Sequence, residues 1–232
     1  MKWIFIIICI LQTGFGIAQP PSGGGSFNNG FIIARTLINE DVSVENSPYL
    51  YISWKPAIIE LSSGNEIEKS TNVLLDVVND KVFVEMDNDK TFEISPNDIN
   101  KIKIENDYTK QDFISKKISE VEQRKDNGKR IYELIFEHSN MVILKKNSKS
   151  FASKVSQNTY SGQGSKVNDF IEKTTYYLKF ESEPYRVFKM NRKSITSLFP
   201  RKEKWIKNYI KGQKVNFKST KDIRILLVQL LD

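Results

Sequence analysis

Between residues 73 and 105 apolar and polar positions follow one another in a regular way. Four runs (VLLDVV, KVFVEM, TFEIS and INKIKIE) are separated by Asn79-Asp80, Asp87-Asn88-Asp89-Lys90 and Pro96-Asn97-Asp98. Val82, Val84 and Met86 alternate with Lys81, Phe83 and Glu85, and Ile102 and Ile104 alternate with Lys101 and Lys103. A period of two is the mark of strands with one buried face. Asn and Asp tolerate left-handed backbone and bond to their own main chain, so the interruptions read as turns. The pattern predicts a β-meander of four successive strands. Its register should be well fixed, because a slip of one residue would turn every inward side chain out.

The rest of the chain extends this sheet. Residues 49–54 (YLYISW) and 57–61 (AIIEL) read as strands with Lys55-Pro56 between them, and Ser62-Ser63-Gly64-Asn65 as a turn. Residues 31–38 and 113–121 fit either a strand or a short helix. Residues 131–137 (IYELIFE) read as a strand with Tyr132, Leu134 and Phe136 on one face and Glu133 and Glu137 on the other; Ser139-Asn140 then turns into residues 141–144. Residues 145–166 are rich in Ser, Asn, Gly and Lys and read as a long mobile loop. Residues 174–180 and 185–190 form a last hairpin.

Helical spacing then takes over. Residues 194–199 make a short turn of helix ended by Pro200. Residues 202–211 pair Trp205 with Tyr209 and Ile206 with Ile210 at i,i+4, with Gly212 as the stop. Ser219 to Asp222 starts a final helix in capping-box style, with Ile223, Leu226, Leu227 and Leu230 on one face. The expected fold is α+β and mainly β: a curled antiparallel meander sheet or partial barrel, with C-terminal helices packed on it. No repeat of fixed long period is present.

The start of the chain changes the setting. Residues 1–18 read as a secretory signal: Lys2, an apolar stretch over residues 3–11, and Gly16-Ile17-Ala18 before Gln19. The stretch is shorter than a membrane span. Cys9, the single cysteine, lies within it and follows Ile8 rather than a small residue, which argues against lipid attachment. Cleavage would leave a chain without cysteine, which excludes disulfides, thiolate catalysis and cysteine metal sites. The expected organisation is a signal peptide (1–18), a flexible Gly-rich leader (19–30), a β-rich domain (31–190) containing the 145–166 loop, and a basic helical tail (191–232) packed on the sheet. The expected location is the periplasm or the extracellular medium.

Charge is unevenly placed. Residues 19–112 carry 8 Lys and Arg against 16 Asp and Glu, whereas residues 186–232 carry 13 against 3. An acidic front is thus joined to a basic tail, which the net charge of +7 conceals.

Few residues offer chemistry. His138, the single histidine, has no nucleophile motif around it and reads as a strand-end residue. One histidine without cysteine does not make a zinc site. Glu133 and Glu137 share a strand face and would be the natural glycosidase pair, but four residues of strand separate them by ~13 Å along its axis. They read instead as solvated carboxylates on an outer face. Asp87-Asn88-Asp89 lacks the glycine and distal glutamate of a calcium loop. Gly23-Gly24-Gly25 follows no strand and opens no helix, so it is no phosphate cradle. No catalytic residue, cofactor or metal is therefore assigned.

The tail is the distinctive feature. Lys202, Lys204, Lys207, Lys211 and Lys214 cluster with Trp205 and Tyr209, a pattern suited to an anionic surface of lipid or glycan. An exported protein meets little nucleic acid, which ranks below both. A solvated helix face, or docking against the acidic front of the same chain, would give the same pattern. The leading functional reading is a non-enzymatic binding or envelope-associated protein. An apolar-ligand or lipid carrier, with Tyr176, Leu178 and Phe180 in the wall of the concave sheet, comes second, and a carboxylate-dependent hydrolase of envelope polymers third.

The order of these features carries a resemblance. The aromatic run before Trp54, the apolar run after it, Ser63-Gly64, the 73–105 segment with Asp76, the strand around Tyr132, the Tyr176-Tyr177 hairpin and the lysine-rich tail resemble a group of uncharacterised exported β-rich proteins of Bacteroidota-type bacteria. The resemblance covers most of the chain after the signal and implies a β-rich exported fold. It brings no activity and no functional residues. The Gly-rich leader and the Ser/Gly segment depart from the group.

Overall fold

The computed structural model describes residues 47–67, 71–86, 90–105, 110–156 and 165–231. Residues 31–38, the Asp87-Asn88-Asp89 turn, the leader and the signal segment lie outside them. All described residues belong to one compact unit. Eleven antiparallel strands form one open sheet among the described residues: β1 (Lys55–Leu61), β2 (Glu66–Ile67), β3 (Asn72–Asp76), β4 (Lys81–Met86), β5 (Lys90–Ile94), β6 (Ile99–Glu105), β7 (Lys110–Lys117), β8 (Lys129–His138), β9 (Met141–Ser156), β10 (Ser165–Phe180) and β11 (Arg186–Phe188). The helices are α1 (Ile118–Val121), α2 (Arg192–Leu198), α3 (Glu203–Gln213) and α4 (Thr220–Leu231). The fold is α+β and mainly β.

The strand order is β11-β10-β9-β8-β7-β6-β1-β3-β4-β5, with β2 on the free end of β1. The expected four-strand meander is therefore three strands, β3 to β5. The fourth run, β6, does not pair with β5. The 3-10 turn at Pro96–Asp98 redirects the chain, with the Ser95 hydroxyl accepting from the Asn97 amide, and β6 inserts between β1 and β7. Apolar spacing shows that a run is a strand but says nothing of its neighbour. The aromatic run at 49–54 is not a strand. It makes one isolated bridge, Tyr49 to Asp76, and then bends away. Lys55-Pro56, expected as a break, instead opens β1, where proline at a strand start costs no ladder bond.

The expected loop at 145–166 is strand over residues 145–156 and 165–166. The two long strands β9 and β10 pair residue for residue from Phe180↔Met141 to Ser165↔Ser156. Polar composition misled here: Ser150, Phe151 and residues 171–174 are exposed on the paired strands, and strand segments that face water need no apolar alternation. β9 leaves β8 after Glu133↔Lys145, so the outer part of this ribbon projects beyond the sheet.

A β-bulge in β8 corrects the expected faces. Glu133 pairs with Lys145 and Phe136 with Ile143, so Ile135 is an extra residue. Phe136 therefore shares the face of Glu133, while Glu137, opposite Val142, joins the face of Leu134. The helices cover the Phe136 face. Phe136, Met141, Ile143, Leu178 and Phe188 pack against Ile195, Ile206, Ile223, Leu226, Leu227 and Leu230. The opposite face carries a smaller cluster of Val121, Tyr132, Leu134, Leu144, Tyr177 and Tyr185. Arg224 ties α4 to the bulge: its guanidinium donates to the carbonyls of Ile135 and Leu134, both at 2.7 Å. These carbonyls sit where the ladder is interrupted, so the side chain replaces missing backbone partners.

The sheet curls. Lys149 on β9 donates to the carbonyls of Tyr49 (2.7 Å) and Ser47 (3.2 Å), and Asp80 in the β3–β4 turn reaches Arg130 on β8. The front of the chain thus lies against the middle of its own sheet.

Candidate functional site

α3 is the centre of the basic tail, and its sequence EKWIKNYIKGQ divides into three stripes. At 3.6 residues per turn, Lys204, Lys207 and Lys211 fall within about 60° of one another. Ile206 points the other way and is fully buried, with Ile210 and Tyr209 packed around it. Trp205 lies on the border between these faces. Its ring stacks on Tyr209 with centroids 4.8 Å apart and planes 21° apart, yet 40% of the residue stays exposed. Tyr209 rests on the core and fixes the tryptophan, leaving one indole face to solvent.

Lys204 and Lys211 are exposed and make no ion pair among the described residues. Lys207 bonds Glu203 at 2.5 Å, four residues back. Its hydrogen bond and charge hold the Glu203 carboxyl below its ordinary value. Both side chains are half in water, so this pair is easily exchanged for an external anion. Lys214 ends the helix in a left-handed conformation (φ 51°), one position past Gln213. The expected stop, Gly212, lies inside the helix. Lys202 does not belong to this face: its ammonium donates to the Leu230 carbonyl at 2.6 Å and closes the C-terminal end of α4. The structure thus gathers Lys204, Trp205, Lys207, Tyr209 and Lys211 on one helix, with Lys214 just past its end, and gives Lys202 a structural task.

Two buried ionic clusters escaped the sequence. In the first, Glu122 follows α1 and accepts from Arg130 (2.5 Å), Tyr132 (2.9 Å) and Lys146 (3.0 Å), while Arg130 also holds Asp80 at 2.5 Å. The Glu122 side chain is 6% exposed. Burial works to raise its carboxyl, but the bonds from Lys146 and Tyr132 and the Arg130 guanidinium outweigh burial and hold it below its ordinary value. The Tyr132 hydroxyl is pushed far up by burial and by Glu122. In the second, Glu133 is 2% exposed and takes Lys145 at 2.9 Å and Gln111 at 3.3 Å, and Gln111 accepts from Tyr51 at 2.7 Å. The expectation of a solvated Glu133 fails, because the curled front of the chain covers it. A cavity of about 30 Å³ beside it, lined by Asp76, Asp80, Lys145 and Asn147 among others, has room for a water molecule but no substrate.

Neither cluster offers a free acid. Each carboxylate is already matched by cations and donors, as a buried charge must be. His138 sits on the surface with the Ser139 hydroxyl 3.1 Å from Nδ1. Leu178 is fully buried beneath the helices, with Tyr176 and Phe180 packed beside it, so the face expected to line a carrier is occupied by the protein itself. No sequence signal marked the clusters, since an acidic residue reads alike whether water or a lysine faces it.

No protein-family model, no curated protein and no solved structure matches the chain.

Proposed function

We propose that this is an exported, non-enzymatic binding protein that holds an anionic glycan on the outer face of α3. The observation behind this reading is the half-exposed Trp205, stacked on Tyr209 about 100° around the helix from Lys204, on an element with three exposed lysines of which two make no internal ion pair among the described residues. Burying an indole stabilises a helix by about 1.5–3 kcal/mol, so one left open on an otherwise well-packed helix offers a binding platform. A sugar ring can lie on Trp205 while anionic groups of the next sugars in the chain wrap around the helix to Lys204 and Lys211, with Lys207 adding charge further round. A bilayer fits less well, because α3 has spent its apolar stripe on the core and has only Trp205 left to insert. Export rests on the pattern of residues 1–18.

The test is retention on immobilised heparin against an increasing salt gradient, with vesicles of anionic phospholipid as the second arm. Replacing Lys204, Lys207 and Lys211 together by Glu should abolish retention, and Trp205→Ala should weaken it at unchanged charge. Vesicle binding that exceeds heparin binding would transfer the site to lipid. Retention that survives the triple change would end the proposal.

A further inference from the structure

The second feature lies where β11 ends. β11 pairs with β10 only at Tyr176, Tyr177 and Leu178. Below these pairs, β10 continues through residues 170–175 with β9 on one side and no strand on the other among the described residues. In an antiparallel strand every second residue turns both N–H and C=O to the same side, so this edge presents a row of backbone donors and acceptors without a strand partner among the described residues. The chain after β11 does not follow β10. It turns off through Lys189, Met190 and Asn191 into α2, and the Asn191 side chain caps that helix by accepting from the Ser194 amide. The divergence opens a groove of about 660 Å³ along the edge, with Thr174, Thr175 and Tyr176 on one wall and Phe188 and Met190 on the other.

Charge sets the kind of occupant. Lys173 and Lys189 stand at the groove, both exposed, and no acidic residue lines it among the described residues. The nearest carboxylate on β10, Glu172, is turned to Lys149 at 3.2 Å. Exposed Arg192 and Lys193 follow directly at the start of α2. Half-buried Tyr176 and Met190 in the walls, lysines at the rim and a bare strand edge are what strand addition requires: main-chain bonds for affinity, and alternate side-chain sites for selection.

We propose that the β10 edge beside Met190 accepts an extended acidic segment of a partner protein as an added antiparallel strand. Carboxylates of the incoming strand would meet Lys173 and Lys189, and its apolar side chains would lie on the half-buried Tyr176 and Met190.

The experiment uses the isotope-labelled full chain and a synthetic acetylated, amidated peptide of sequence Glu-Val-Glu-Val-Thr-Val-Glu-Val, followed by amide resonances. Shifts should concentrate at Lys173 to Tyr177 and Val187 to Asn191. The double change Lys173→Glu with Lys189→Glu, at two exposed positions, should weaken binding by about tenfold or more without lowering Tm. A peptide N-methylated at alternate residues should not bind, and the Lys204, Lys207 and Lys211 variant should bind as well as the parent, which separates this edge from the α3 face. Absence of binding, shifts elsewhere, equal binding of the peptide with Lys in place of Glu, or binding that survives N-methylation would each overturn the proposal. Concentration-dependent shifts of the same amides without peptide would also overturn it, in favour of a second copy of this chain as the occupant.

Discussion

Glu122 shows what a single side chain does in this molecule. It draws two cations and a hydroxyl from β8 and β9 into one cluster, and through Arg130 it holds the β3–β4 turn. Glu122→Gln would leave Arg130 and Lys146 short of a counter-charge and should cost on the order of 3 kcal/mol in chemical denaturation. The pH dependence follows from the direction of the shift. A carboxyl held below its ordinary value of 4.5 contributes stability that is fully present above that pH and is lost as pH falls through the lower folded value. The gap between parent and variant should therefore be constant near neutrality and narrow below about pH 4.5. A gap that widens in acid would mean that Glu122 is not held ionised by its partners. Val84 is the apolar counterpart. It is fully buried between Val73 and Phe92, and Val84→Asp should leave no cooperative thermal transition, because it buries an unpaired carboxylate.

The elements show how far residue patterns reach. Ile223, Leu226, Leu227 and Leu230, spaced on one face in the sequence, are all buried on α4, and the Ser219 hydroxyl accepts from the Asp222 amide as the capping pattern requires. Helical spacing and this N-cap are local, so the sequence states them directly, although α3 runs past the expected stop at Gly212 to Gln213. The bulge at Ile135 and the passage of β6 to β1 depend on partners far along the chain, and no local pattern encodes them. The β9–β10 ribbon failed for a different reason: Ser150, Phe151 and residues 171–174 are exposed, so the period-two signal is missing there although the ladder continues. The end of α3 gives a prediction at this scale. Lys214 holds a left-handed conformation that favours glycine, so Lys214→Gly should stabilise the protein by about 1 kcal/mol and raise Tm by a few degrees. A fall in Tm would show that the Lys214 side chain supports the core. At the other end of the layer, Arg224→Leu removes the donors that close the bulge and should destabilise by about 2–3 kcal/mol, read as a lower denaturation midpoint.

Across the whole molecule, charge and architecture are separated in the same way. The acidic front supplies the strands that curl over the sheet. The basic tail supplies the helices that cover the other part of the same face, and their inner sides are consumed by that task. The seven tail residues that sequence pattern singles out divide accordingly: Lys202 bonded to the end of α4, five on α3 with two of them in one aromatic stack, and Lys214 just past the helix end. Composition could flag the tail as basic and aromatic, but only the fold separates a lysine that caps a helix from a lysine that is free to bind. The most direct measurement is the emission of Trp205, read against a Trp205→Phe background, as heparin is added to the parent and to the Lys204, Lys207 and Lys211 to Glu variant. A glycan seated on the indole should give a saturable change in the parent that weakens with salt and vanishes in the variant. An unchanged Trp205 signal in the parent, or the same change in both proteins, would contradict a glycan site on α3.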